Sequence, residues 1–163
     1  MSDGKCSVIL CELGIILLDE NENVSSSIKF TNPVESYRLI KNGGRFTGLG
    51  QIIGKIGNYS DVRSNDQSLN FVLQQNGISS TMMSDDELIA LLLQKDSILE
   101  KAGFVTNTTQ AQRELRKFAI DLSSSKIKET SEQLDLHVIQ AVSALDELDK
   151  IINTIGTRMR EWY

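Results

Sequence analysis

From Leu134 to the C-terminus the apolar positions fall at Leu134, Val138, Ala141, Leu145, Leu148, Ile152, Ile155, Met159 and Trp162, in alternating steps of four and three. That spacing predicts a helix with an apolar seam repeating every seven residues, a seam built to lie against another helix. The ladder is still running at Tyr163, so the chain is expected to be a fragment of a longer protein. Upstream, Ala111, Leu115, Phe118 and Leu122 make a second helical stripe, but the step of five from Leu122 to Ile127 does not fit the later frame. The Ser123 to Ser125 run is where the helix is expected to bend, end or slip its register.

The first hundred residues follow a different pattern. Lys5 to Leu10 and Gly14 to Leu18 read as strands, and the run Ile15 to Leu18 is apolar enough to be buried on both faces. Ser25 to Phe30 reads as a third strand, with Ile28 and Phe30 on one face. A helix follows, with Asn32 as N-cap, Pro33 at its first position, Glu35 in its first turn and Gly43 as its stop; Val34, Tyr37 and Ile40 or Leu39 face inward. Phe46, Leu49, Ile52, Ile53, Ile56 and Tyr59 suggest a short helix or irregular segment packed on the sheet. Leu69 to Gln75 reads as a short helix closed by Gly77, and Ile78 to Met82 as a strand. Ser84 and Glu87 form a capping box for a helix that runs to about Gln94, with Leu88, Leu91, Leu92 and Lys95 along its face. Ile98, Leu99 and Phe104 around Gly103 close the domain, and polar Thr106 to Thr109 mark a boundary. The expected fold is α/β (α+β): an N-terminal domain of mixed or antiparallel sheet with packed helices over 1–106, then a helical segment over 107–163 that begins a coiled coil.

Charge narrows the function. The chain's net charge is −5, with nine basic against thirteen acidic side chains in residues 1–110 and eight against nine in 111–163. A surface that neutralises nucleic-acid phosphates carries an excess of lysine and arginine, which neither half has. No apolar stretch is long enough to span a bilayer, and Glu12 breaks the first apolar run. The protein is expected to be intracellular and cytoplasmic, with no membrane contact, and the N-x-S/T triplets at Asn23, Asn58 and Asn107 to be coincidences.

Candidate chemistry is sparse. Cys6 and Cys11, five apart on a strand, point to opposite faces and make a poor disulfide, so reduced, buried thiols are expected. With a single histidine, His137, the chain lacks the ligands for a zinc site and the partners for a catalytic triad. His137 reads as a position flanking the seam, beside the surface carboxylates Glu132 and Asp135. Asp85-Asp86-Glu87 reads as a helix first turn, and Asp146, Glu147 and Asp149 as a solvated face. Six glycines lie between 43 and 59, but Gly48, Gly50 and Gly54 give G-x-G-x-x-x-G, and Gly54-Lys55 is followed by Ile56, so neither nucleotide fingerprint is met. Neither a catalytic site nor a metal or cofactor site is expected.

The residues riding on the seam are more specific than its period. Val138-Ile139-Gln140-Ala141, then Ala144-Leu145-Asp146-Glu147-Leu148-Asp149-Lys150, Ile152-Asn153 and Arg158-Met159-Arg160-Glu161-Trp162-Tyr163, resemble the coiled-coil signature of the Nop family, scaffold proteins of box C/D ribonucleoproteins. Arg113-Glu114-Leu115-Arg116-Lys117-Phe118 and the α/β start are similar to the archaeal branch of that family. The family's pattern usually continues with a His-Phe-Pro-type sequence, which is not found before Tyr163. The resemblance implies an N-terminal α/β domain that docks the RNA 2'-O-methyltransferase fibrillarin and a coiled coil that self-associates. It also implies an RNA-binding domain, absent here, for guide RNA and the kink-turn-binding protein. S-adenosylmethionine and the catalytic residues would belong to fibrillarin, and this chain would act as a non-catalytic scaffold.

No motif carries the fibrillarin contact over to particular residues. On physical grounds Tyr37, Arg45, Phe46, Ile52 and Ile56 are the candidates, since a docking face needs aromatic or apolar anchors with a charged rim; that Phe46, Ile52 and Ile56 are ordinary core is an equal expectation. For the seam, the alternative to a second copy is packing on the 111–124 helix. Two other readings remain open: a generic coiled-coil adaptor with no role in RNA modification, and a small enzyme using the glycine-rich segment.

Overall fold

The computed structural model describes residues 4–46, 48–57 and 59–162, which leaves Asn58 and Tyr163 outside the described residues. The chain divides into two units, Met1–Asp121 and Leu122–Tyr163. The first is built on a mixed five-stranded sheet of β1 (Lys5–Cys11), β2 (Gly14–Leu18), β3 (Val24–Lys29), β4 (Asp61–Ser64) and β5 (Ser80–Met82). The strand order is β3-β2-β1-β4-β5, antiparallel across β1/β2 and β2/β3 and parallel across β1/β4 and β4/β5.

The centre of the sheet follows from its apolar runs. Every residue of β2 is buried, so both of its faces need cover. Cys6, Val8, Leu10, Ile15 and Leu17 lie on one side, while Ile9, Cys11, Ile16 and Leu18 lie on the other. The two cysteines therefore occupy opposite layers, free and buried. Gly14 is where the layers crowd: a Cβ there would stand 2.1 Å from the Ile28 carbonyl oxygen and 2.8 Å from the Phe104 ring, so only glycine fits.

β4 is absent from the strands expected above. Its four residues include one apolar side chain, Val62, and its pairing is completed from outside the strand. The Asn65 side-chain amide accepts from the Leu10 N–H at 2.8 Å and donates to the Leu10 carbonyl at 2.9 Å, supplying one further rung beyond the strand's end.

Helices cover both faces. On the first lie α1 (Pro33–Lys41), α2 (Leu49–Ile56) and α3 (Gln67–Gln75), contributing Ile40, Leu49, Ile52, Ile56, Leu69, Val72 and Leu73. Ile40 is fully buried and Leu39 is exposed, which decides the inner face of α1. Asn32 occupies the N-cap position, but its side chain donates to Glu35 instead of capping α1. α3 begins two residues earlier than expected because the Asp66 carboxylate accepts the N–H groups of Ser68 and Leu69. On the second face lie α4 (Asp85–Leu93) and α5 (Lys95–Lys101), followed by Phe104 and Val105.

α4 starts with the expected capping box, and Glu87 also ties the helix to the sheet. Its carboxylate receives Lys5 Nζ at 2.8 Å and Arg63 Nη1 at 2.7 Å, joining α4 to β1 and β4. The hydrogen bond from Lys5, then that from the Ser84 N–H, hold the Glu87 carboxyl down to about 2. A carboxyl depressed in the folded state adds stability above its ordinary range, near pH 4.5, and loses that contribution as pH falls toward 2. Urea titrations across that window should show wild type losing about 1 kcal/mol more than Glu87→Gln, after discounting for solvent exposure. Parallel curves would exclude this cluster as the source.

α6 (Thr108–Trp162) is a single helix that runs through Ser123–Ser125 without ending. Asn107 accepts from the Gln110 N–H, and the Gln110 side chain accepts from the Thr106 N–H, fixing its start. Ala111 and Phe118 are buried and Leu115 is half-buried, with the Phe118 ring edge-on to Tyr37 at 5.3 Å. The first unit, Met1–Asp121, takes in the opening turns of α6.

Candidate interaction surfaces

The seam residues, from Leu134 to Trp162, are exposed without exception. At the helical rise they form an apolar row about 42 Å long. α6 is one helix, so these residues continue the 111–124 segment instead of returning along it. An uncovered row of this extent marks an interaction surface.

The heptad frame gives each side chain a place. Val138, Leu145, Ile152 and Met159 take the a positions; Leu134, Ala141, Leu148, Ile155 and Trp162 take d. Between Val138 and Gly156 the flanking e and g positions hold Val142, Ala144, Ile151 and Gly156, with Asp149 as the only charge. One partner helix covers a and d; Val142 and Ile151 widen the stripe toward the packing found in bundles. His137 sits at a g position and is exposed, a flanking place with no catalytic partner beside it in the heptad.

The step of five from Leu122 to Ile127 reflects two stripes, not a slip. Ala111, Leu115 and Phe118 face the sheet, whereas Ile120 and Ile127 are exposed and stand fourteen and seven residues before Leu134, in the d frame. At about 100° per residue, Ile120 points roughly opposite Phe118.

The proposed fibrillarin contacts are not brought together as a surface. Ile52 and Ile56 are fully buried core residues and offer nothing to a partner. Phe46 is half-buried, edge-on to Phe30 at 5.1 Å, and Tyr37 is half-buried against Phe118, with Lys41 Nζ 5.6 Å from its ring centre. Arg45 alone is exposed. Helical spacing in 49–56 is the same for a core face as for a docking face, so spacing could not separate them.

The surface that spacing missed is on α4. Leu92, expected along one helical face with Leu88, Leu91 and Lys95, is exposed, together with Ile89 and Leu93. Apolar residues on every side of this helix were the available signal.

Reactive chemistry is muted. Burial pushes both the Cys6 and Cys11 thiols up to about 11, which keeps them protonated and poorly nucleophilic. Among the described residues no three histidine, cysteine or carboxylate groups gather as a metal site, and no helix is long and apolar enough to cross a membrane.

No family model matches the chain. It is 30% identical over 64 residues to an uncharacterised NOP5 family protein of Methanocaldococcus jannaschii, a match covering 39% of this chain and 16% of that protein. It is 50% identical over 42 residues to nucleolar protein 58 of Neurospora crassa, covering 26% and 7% of the two chains. With nucleolar protein 56 of Saccharomyces cerevisiae it shares 49% identity over 41 residues, covering 25% and 8%. The matched segments are thus a small fraction of these relatives' lengths. Over a quarter to two-fifths of its own length, the chain is similar to NOP5 family proteins and to nucleolar proteins 56 and 58.

Proposed function

We propose that this chain is the N-terminal part of a Nop-family scaffold, acting in a box C/D ribonucleoprotein particle to hold fibrillarin in place for 2'-O-methylation of target RNA. One observation carries the reading: the residues that resemble the family's signature, Val138 to Trp162, ride on a helix whose apolar seam is uncovered along its whole length. The partial likeness to NOP5 family proteins and nucleolar proteins 56 and 58 supports it. In this reading the α/β unit docks the methyltransferase and the seam joins a second copy in the full-length protein. Guide RNA and the kink-turn-binding protein are contacted by a further domain, in keeping with the net charge of −5 here. The chain itself is no enzyme and holds no cofactor; S-adenosylmethionine is bound by the methyltransferase.

Affinity purification of the tagged full-length protein from its native cells, read by mass spectrometry and RNA sequencing, tests this. Fibrillarin and box C/D guide RNA are expected in the eluate. Recovery of a coiled-coil partner without either would replace the reading with that of a generic adaptor. Binding of S-adenosylmethionine or a nucleotide by the isolated chain would point to an enzyme.

A further inference from the structure

The chain has two Asn-Gly pairs, Asn42-Gly43 and Asn76-Gly77, and each closes a helix in the same way. Asn42 caps α1 and Asn76 caps α3, and the glycine that follows takes a left-handed φ, 74° at Gly43 and 81° at Gly77. The next two N–H groups turn back onto the helix. At α1, Gly43 donates to Ile40 at 2.9 Å and Gly44 to Leu39 at 2.8 Å; at α3, Gly77 donates to Gln74 at 3.0 Å and Ile78 to Leu73 at 3.1 Å. Both ends are Schellman motifs. With the same chemistry on the same backbone, the two pairs differ in what holds the motif shut.

At α3 the hold is firm. Ile78, the residue after Gly77, packs partly buried against the core cluster that contains Leu73, and the Asn76 side-chain amide donates to the Val72 carbonyl at 2.7 Å. Opening this cap exposes apolar surface and breaks a hydrogen bond. At α1 neither restraint exists. The place of Ile78 is taken by Gly44, where a Cβ would stand 2.9 Å from the Leu39 carbonyl oxygen, so no side chain can anchor the motif there. Asn42 is exposed, and among the described residues its side chain makes no hydrogen bond. The α1 cap therefore opens more readily, and it opens with a free side-chain amide beside the unhindered backbone of a glycine.

We propose that Asn42 is a site of spontaneous deamidation and that Asn76, its twin in sequence, is protected. With the cap open, the Gly43 backbone nitrogen attacks the Asn42 side-chain carbonyl carbon. An N–C bond forms, the bond to the side-chain nitrogen breaks, and that nitrogen leaves as ammonia, carrying the proton of the Gly43 N–H. Water then opens the cyclic imide, giving aspartate, or isoaspartate when the chain is left running through the side-chain carbon. Either product puts a carboxylate at the C-terminus of α1, where the helix dipole disfavours negative charge. The new carboxylate also competes for its neighbour Lys41, whose ammonium pairs with Asp66 at the start of α3 and lies 5.6 Å from the Tyr37 ring centre. The modification thus weakens the tie between α1 and α3.

The test is incubation of the purified protein at mildly alkaline pH, folded and in denaturing urea, with the aspartate and isoaspartate forms of each peptide separated by chromatography and identified by mass spectrometry. In the folded protein Asn42 should convert at least about tenfold faster than Asn76, the gap set by the easier opening of its cap. In urea, where both caps are gone, the two rates should come within about threefold of each other. Ile78→Ala, which removes the anchor, should speed conversion at Asn76, and Asn42→Gln should abolish it at position 42. Hydrogen exchange in the last turn of α1 should be faster in the converted protein than in the unconverted one. Equal rates in the folded protein, a faster Asn76, or no conversion at either site overturns the assignment. So does a gap that persists undiminished in urea, which would trace to the residues Gly44 and Ile78 themselves and not to the caps. An Asn76 rate unmoved by Ile78→Ala removes the anchor as the cause, and unchanged exchange in α1 overturns the loosening.

Discussion

Leu148→Asp combined with Ile152→Asp is expected to raise the dissociation constant for self-association by at least about 100-fold, or roughly 2.7 kcal/mol. Both residues sit mid-seam and are exposed in the single chain. Each contributes about 1.5–3 kcal/mol when buried, and in a symmetric assembly each loss counts twice, so the bound is conservative. Sedimentation velocity over a concentration series measures it, with Asp146→Lys, at the outward-facing b position, as the control that leaves the mass unchanged. Helical signal should fall together with association, because a lone helix without a packed face has little stability of its own in water. Unchanged sedimentation in the double variant would remove the seam as the contact. A wild-type chain that stays monomeric throughout would confine self-association to the full-length protein.

Phe118→Ala is expected to cost about 3–5 kcal/mol, roughly 1 kcal/mol of it from the edge-on ring contact with Tyr37. Phe118 is 6% exposed, whereas Ile120, two residues along the same helix, is 58% exposed on the opposite side. Ile120→Ala should therefore change stability by less than about 0.5 kcal/mol. Paired urea titrations read the contrast directly. Equal costs at the two positions would mean that the opening turns of α6 are not part of the first unit's core.

The parts of this fold visible in its sequence are those whose physics is local. β1 and β2 declare themselves by apolar runs, α1 and α4 by Pro33 and by the Ser84–Glu87 box, and the seam by its period. β4 was not visible, because Asp61-Val62-Arg63-Ser64 has one apolar side chain, and its pairing is with Lys5–Val8 of β1 and with β5, distant in the chain. α6 looks breakable at its serines because the step of five between its two stripes reads as a slip of one frame. The inward stripe through Phe118 and the outward one through Ile120 overlap in sequence while pointing apart. The candidate docking residues pose a related difficulty. Ile52 and Ile56 have the spacing of a face, but only the sheet decides that it faces inward, and in α4 a nearly unbroken apolar sequence leaves no spacing to choose from.

Cys6 and Cys11 give the chain a thiol sealed beneath each layer of helices, one under α1, α2 and α3, the other under α5 and the start of α6. Each sulfur meets a reagent only when its own cover lifts. The rates at which the two are labelled in the native state thus report separately on the opening of the two sides of one sheet, with no probe added. A chain that keeps its reactive atoms silent in the folded state so carries its own gauge of how that state comes apart.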